Sequence, residues 1–191
     1  GGWGVKRGER VLLVYPPSLD FIVAFVACLR AGVVAVPVYP PNPTRLAKDL
    51  RMFCSVVASS GAEVALTNNL YGWAKSVAAL KQRFSSKGER WPELRWLVTD
   101  KGKVPKPRSA APLTPPGAEE LAFLQYTSGS TSDPKGARHT DATLHSKSLG
   151  MSTVLDLRED DRVALVFPIA HIGGIGWLYC SLMSGAGMIM I

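Results

Sequence analysis

The chain has 191 residues, 47% of them hydrophobic and 19% charged, with a formal net charge of +7. That balance excludes a disordered chain, and the length suits one sizeable buried core. The three cysteines, Cys28, Cys54 and Cys180, fit neither a disulfide framework nor a metal-site spacing, so buried reduced thiols in a cytoplasmic protein are the expectation.

Arg10 to Tyr15 is an apolar, β-rich run. Ser18 is placed to cap a helix reaching about Arg30, whose stripe is Phe21, Ile22, Phe25, Val26 and Leu29, and Gly32 breaks it before a strand from Val33 to Tyr39. Pro43 or Thr44 opens a second helix with Leu46, Leu50, Phe53, Val56 and Val57 on one face, stopped by Gly61. A strand from Glu63 to Thr67, a helix from about Tyr71 to Phe84 and a strand from Arg95 to Thr99 follow. Strands joined by helix-length crossovers predict a parallel sheet wound right-handedly, and their continuous apolar character predicts helices on both faces. The longest apolar run, Phe21 to Tyr39, is interrupted by Arg30, Gly32 and Pro37, so no transmembrane segment is expected.

Charge is unevenly spread. Between Lys75 and Arg108 ten basic residues face three acidic ones, a difference of +7, while the remainder balances at twelve against twelve. With Trp91 and Trp96 interleaved, the stretch could draw nucleic acid or an anionic membrane surface. A solvated helix face and a charged linker are the simpler expectation, with no nucleic-acid partner.

From Asp100 to Gly117 the composition turns to Lys, Pro, Ser and Ala. The expected organisation is a first βα-repeat subdomain over residues 1–100, a Pro/Lys-rich linker over 101–118, and a second α/β segment over 119–191. In the last, Leu121 to Thr127 reads as a buried strand, and Thr140 or Asp141 caps a helix to about Leu155. Arg162 to Phe167 reads as a strand, Ile172 to Ser184 as a helix and Met188 to Ile191 as a strand. A final apolar strand without a turn, and an unprepared Gly1-Gly2-Trp3-Gly4 start, lead to the expectation of a truncated large domain. His139 and His145 lie six apart, off a common helical face, and are expected at the surface.

The densest chemistry lies in Tyr126-Thr127-Ser128-Gly129-Ser130-Thr131-Ser132-Asp133-Pro134-Lys135-Gly136. Glycine lets backbone N–H groups approach an anion, the hydroxyls add donors and Lys135 adds a full positive charge, which together suit a polyphosphate. The spacing is not that of a Walker A loop, because Lys135 precedes Gly136 and Pro134 takes the fifth position after Gly129. On composition alone, the same stretch also reads as a solvated Ser/Thr/Gly loop. Further on, His171 stands beside Gly173, Gly174 and Gly176, which leave room for a substrate chain or for close helix packing. A lone histidine among apolar residues also suits a structural role.

Thr127-Ser128-Gly129-Ser130-Thr131 with Pro134-Lys135-Gly136 resembles the phosphate signature of the AMP-forming acyl ligases, the superfamily of acyl-CoA synthetases, peptide-synthetase adenylation domains and luciferases. The run from Gly8 to Pro17, Asp20-Phe21, and Ala31 to Pro41 with its Tyr-Pro-Pro triplet is similar to the opening of the fatty acyl-AMP ligase branch. Ser132, where the superfamily usually has glycine, is similar to that branch too. Ala137 to Thr143 departs from it, and Phe167 to Trp177 looks more like acyl-CoA ligases.

The resemblance implies an α/β fold with parallel sheets flanked by helices, a partial N-terminal large domain of the adenylate-forming ligase fold. It implies ATP with Mg²⁺ held through phosphate, a fatty or other hydrophobic carboxylic acid as substrate, and a thiol of CoA or of phosphopantetheine on an acyl carrier protein as acceptor. Thr127, Ser128, Gly129, Ser130, Thr131 and Lys135 would contact the β- and γ-phosphates. Lys135 and His171 would be catalytic, and His171, Gly173 and Gly174 would line the acid site, with no protein-held metal. Such a segment is expected not to turn over alone; an acyl-CoA synthetase or a non-catalytic nucleotide- or acyl-binding remnant of the fold are the alternatives.

Overall fold

The computed structural model describes residues 4–42, 46–83, 90–101, 114–127 and 134–191. Chain order runs β1 (Arg10–Val14), α1 (Leu19–Ala31), β2 (Val34–Val38), α2 (Leu46–Ser60), β3 (Val64–Thr67), α3 (Asn69–Arg83) and β4 (Arg95–Val98). Then come β5 (Leu121–Thr127), β6 (Lys135–Thr140), α4 (Asp141–Val154), β7 (Arg162–Leu165), α5 (Ile172–Ser184) and β8 (Gly187–Met190). Six strands form one sheet in the order β4-β3-β1-β2-β5-β6, and β7 pairs with β8 in a separate parallel pair.

The apolar runs dictate the sheet's centre. Every residue of β2, and Val11 to Val14 of β1, is buried, as strands covered on both faces must be. Alternate side chains then feed two cores. Val11, Leu13 and Tyr15 join Phe21, Phe25 and Leu29 of α1 and Leu144, Ile175 and Leu178 of α4 and α5. Leu12 and Val14 join Leu50, Phe53 and Val56 of α2 and Tyr71 of α3. Helices therefore cover both faces, with α1 opposite α2 and α3, as right-handed crossovers in the two directions from β1 require.

Gly32 ends α1 because only glycine suits the place. Its φ is 64°, its N–H reaches the Cys28 and Leu29 carbonyls, and a Cβ there would meet Arg7 Cγ at 2.9 Å. Arg7, which passes over Gly32, donates from Nε and Nη2 to both Glu120 carboxylate oxygens at 3.0 and 2.8 Å and from Nη1 to the Thr114 carbonyl at 2.9 Å. This two-pronged pair ties the approach to β1 to the approach to β5, and the Arg7 bond holds the Glu120 carboxyl below its ordinary range.

Four details depart from the sequence reading. Ser18 precedes α1, but its hydroxyl makes no capping bond and is buried without a partner among the described residues; Asp20 in the first turn instead accepts from Asn68 Nδ2 at 3.1 Å. Residues 135–140, for which the sequence suggested no strand, pair antiparallel to β5, because cross-strand pairing overrides the polar composition of Lys135 to Thr140. His139 is not a surface residue: it is 8% exposed and stacks on Phe123 at 4.3 Å, since its β6 position faces inward. Trp91 and Trp96 are not a solvated display either. They pack on Phe53 at 5.8 and 6.1 Å, with the Lys75 ammonium 4.6 Å over the Trp96 ring. His145 is exposed. Among the described residues no helix is long and apolar enough to cross a membrane.

Candidate active site

β5 carries the apolar pattern of a buried strand, and β6 returns beside it with Thr127 opposite Lys135 on the last rung. The ends of the hydroxyl-rich turn are thus held one strand spacing apart, both exposed. Ser128, Gly129, Ser130 and Thr131 lie outside the described residues. Lys135 makes no ion pair with any described residue.

The rung below explains the glycine after Lys135. Tyr126 faces Gly136, and a Cβ at Gly136 would sit 2.9 Å from the Tyr126 ring. With that space free, the ring crosses β6 and its hydroxyl donates to Ser59 Oγ of α2 at 3.0 Å. The hairpin is thereby pinned to a helix.

Gln125, one rung lower, was not singled out by sequence. It is 5% exposed, and its Nε2 donates to the Ala170 carbonyl at 3.2 Å, while Oε1 is buried with no partner among the described residues. Ala170 immediately precedes His171, so this bond joins the strand entering the turn to the segment that starts α5. The available signal was a carboxamide inside an otherwise apolar run, Leu121-Ala122-Phe123-Leu124-Gln125, which needs a partner when buried.

His171 is exposed and is the N-cap of α5: its Nδ1 accepts from the Gly173 N–H at 3.1 Å. A ring nitrogen that accepts carries no proton, so Nε2 is the donor face in this arrangement. Phe167 lies nearly parallel to the His171 ring at 6.4 Å. Gly173 sits under this ring pair, where a Cβ would be 3.3 Å from Phe167. Gly174 is buried, and a Cβ there would lie 2.4 Å from the Pro168 carbonyl oxygen; close packing of α5 on its own approach turn uses that glycine. On the other flank, Thr140 caps α4 by accepting from the Thr143 N–H at 3.2 Å.

Burial pushes the Cys28 thiol up to about 12, which leaves it unreactive. Among the described residues no three His, Cys, Asp or Glu side chains converge as a metal cage. The donor set, hydroxyls and one lysine, fits Mg²⁺ carried on phosphate oxygens rather than held by protein.

The chain is similar to known fatty-acid ligases. The chain is 40% identical over 141 residues to the medium-chain-fatty-acid–[acyl-carrier-protein] ligase JamA of Moorena producens, a match covering 73% of this chain and 23% of that protein. It is 31% identical to the long-chain-fatty-acid–CoA ligase FadD13 of Mycobacterium tuberculosis, covering 97% of this chain and 35% of that protein. The fatty acyl-adenylate ligase from L. pneumophila, solved in complex with acyl adenylate and pyrophosphate, superposes with a TM-score of 0.79 at 28% identity, over 99% of this chain and 31% of that one. The chain thus spans between about a quarter and a third of these relatives. A family model described as AMP-binding enzyme matches residues 2–191, and the chain belongs to that family.

Proposed function

We propose that this chain supplies the phosphate-gripping part of an ATP-dependent, AMP-forming ligase that activates a fatty or other hydrophobic carboxylic acid and passes the acyl group to a thiol. One observation carries the reading: Thr127 and Lys135 close the same rung of a hairpin whose strand is bonded through Gln125 to the carbonyl beside His171. A polyphosphate held in the turn and an acid held near His171 then belong to one site.

A carboxylate oxygen of the acid attacks the α-phosphorus, the bond from that phosphorus to the bridging oxygen breaks, and pyrophosphate leaves with the electron pair. A thiol then attacks the acyl carbon and AMP departs, its proton passing to solvent. Lys135 opposes the charge that builds on the departing pyrophosphate, and hydroxyls and backbone N–H groups of residues 127–131 orient it. Mg²⁺ bound to phosphate would neutralise more of that charge. His171, kept with Nε2 outward by its own cap, offers a donor to the acid's carboxylate. Gly173 keeps the space beneath the His171 and Phe167 rings free of a side chain, whereas Gly174 serves the packing of α5 on Pro168. CoA and the phosphopantetheine thiol of an acyl carrier protein are both candidate acceptors, since FadD13 is a fatty-acid–CoA ligase and JamA a fatty-acid–[acyl-carrier-protein] ligase.

The test is carboxylate-dependent exchange of pyrophosphate into ATP by a polypeptide in which this segment is joined to the remaining length its relatives have. Lys135→Ala should slow exchange by about a hundredfold or more while leaving the unfolding midpoint nearly unchanged, because the side chain is exposed. Undiminished exchange would remove the lysine, and with it the phosphate role of the hairpin. A polypeptide that binds ATP without exchange would instead be a non-catalytic nucleotide binder.

A further inference from the structure

Packing does not call for an amide at Gln125. It ends the otherwise apolar run Leu121-Ala122-Phe123-Leu124, and burying a carboxamide costs free energy that only hydrogen bonds offset. Two residues along β5 from Phe123, it lies on the same face of the sheet, the face on which the buried Ile169 and Ala170 lead into α5. Its Nε2 donates to two carbonyls, that of Ala170 at 3.2 Å and, over a longer reach, that of Tyr126 at 3.4 Å. Carbonyls only accept, so the nitrogen end of the amide must face them.

Three other hydrogen bonds hold His171. Its N–H donates to the Pro168 carbonyl at 2.9 Å, its carbonyl accepts from the Ile175 N–H at 2.9 Å, and its Nδ1 accepts from the Gly173 N–H at 3.1 Å. All three tie the residue to its own segment and would move with it. The Gln125 bond differs, because it fastens the Ala170–His171 peptide to β5, the strand that ends at Thr127. Burial of Ile169 and Ala170 fixes where the segment lies, but apolar contact is non-directional. A hydrogen bond to the carbonyl fixes how the peptide plane is turned, and that plane sets the direction in which the His171 side chain leaves the backbone.

We infer that Gln125 is a positioning residue: through the Ala170 carbonyl it sets the aim of His171 at the acid. Its consequence for catalysis rests on the ligase reading; its geometry does not. The shorter of its two bonds runs to the His171 side, so binding of the acid, rather than of ATP, should register its loss.

Pyrophosphate exchange by the joined polypeptide gives the first test. Gln125→Met, similar in length but without a donor, should raise KM for the acid about tenfold and leave KM for ATP within about twofold. A variant that was merely less stable would lose maximal rate at unchanged KM. Gln125→Glu adds a pH signature: protonated, its carboxyl donates to the Ala170 carbonyl; ionised, it cannot, and burial raises its pKa. Its acid KM should approach that of the unsubstituted polypeptide as pH falls from about 8 to 6, and this variant decides if Gln125→Met does not fold. In a His171→Ala background Gln125→Met should change acid KM less than about twofold. A second measurement needs no turnover. Nitrogen NMR of labelled histidine, with the His171 signals identified by their loss in His171→Ala, should show a bare Nδ1 and a protonated Nε2 at about pH 8, and a mixture of both tautomers in Gln125→Met. Unchanged acid KM with exchange intact, an undiminished Gln125→Met effect without His171, or unchanged His171 ring signals overturns the inference. Absence of exchange in the unsubstituted polypeptide would instead overturn the ligase reading, and the ring signals then decide the positioning role.

Discussion

The middle of the six-stranded sheet and its hairpin end are built on opposite principles. In β1 and β2 nearly every side chain is buried, so position is enforced by packing from both faces and no single contact dominates. In β6 Lys135, Ala137 and Arg138 are exposed, and alignment rests on a few discrete features: Tyr126 across Gly136, Gln125 to Ala170, and His139 on Phe123. The contrast teaches where each can change. The centre tolerates no loss of volume, whereas the hairpin tolerates surface substitution but not the loss of a pinning group.

The largest effect should come from the centre. Phe25 is fully buried, stacked on Phe21 at 6.0 Å and edge-on to Phe123 at 5.6 Å, and Phe25→Ala should lower unfolding free energy by about 3–5 kcal/mol in urea titration. A loss under about 1 kcal/mol would erase the distinction between the two regions. Next, Gly174→Ala should lose about 1–3 kcal/mol, because its new methyl collides with backbone at Pro168 rather than with a movable side chain; an unchanged midpoint would mean that α5 is free to shift. Thr140→Ala, which removes the α4 cap, should cost about 1 kcal/mol, measured in the same way.

The smallest effect concerns pH. Burial, and then the nearby charge of Lys147, lower the His139 pKa in the folded chain. The unfolded chain therefore takes up this proton first, so stability should fall as pH drops through the unfolded value near ~6.5 and level off once the folded form also protonates. His139→Phe retains a ring against Phe123 and should flatten that part of the stability profile. An identical slope in both proteins would assign it to other groups.

Much of the parallel framework was legible in sequence because burial on both faces leaves long apolar runs, and Gly32 and Gly61 punctuate them. The helix from Ile172 to Ser184 was likewise readable from its ends. β6 was not, since Lys-Gly-Ala-Arg-His-Thr has neither alternation nor strong β-propensity and owes its form to β5 beside it. The hydroxyls, lysine and histidine of the site could be read as residue types suited to phosphate and acid. Their placement could not, because Gln125 and Ala170 are 45 positions apart and nothing local in the chain announces that bond.

The crossing of Tyr126 over Gly136 also fixes which way Lys135 points. Sliding β6 by one position would set Lys135 or Ala137 under the ring and turn the ammonium to the opposite face, and both carry the Cβ that this crossing excludes. The pair therefore works as a parity lock: a longer or shorter turn grafted between Thr127 and Lys135 should leave the lysine aimed as it is now, provided the tyrosine still finds its glycine.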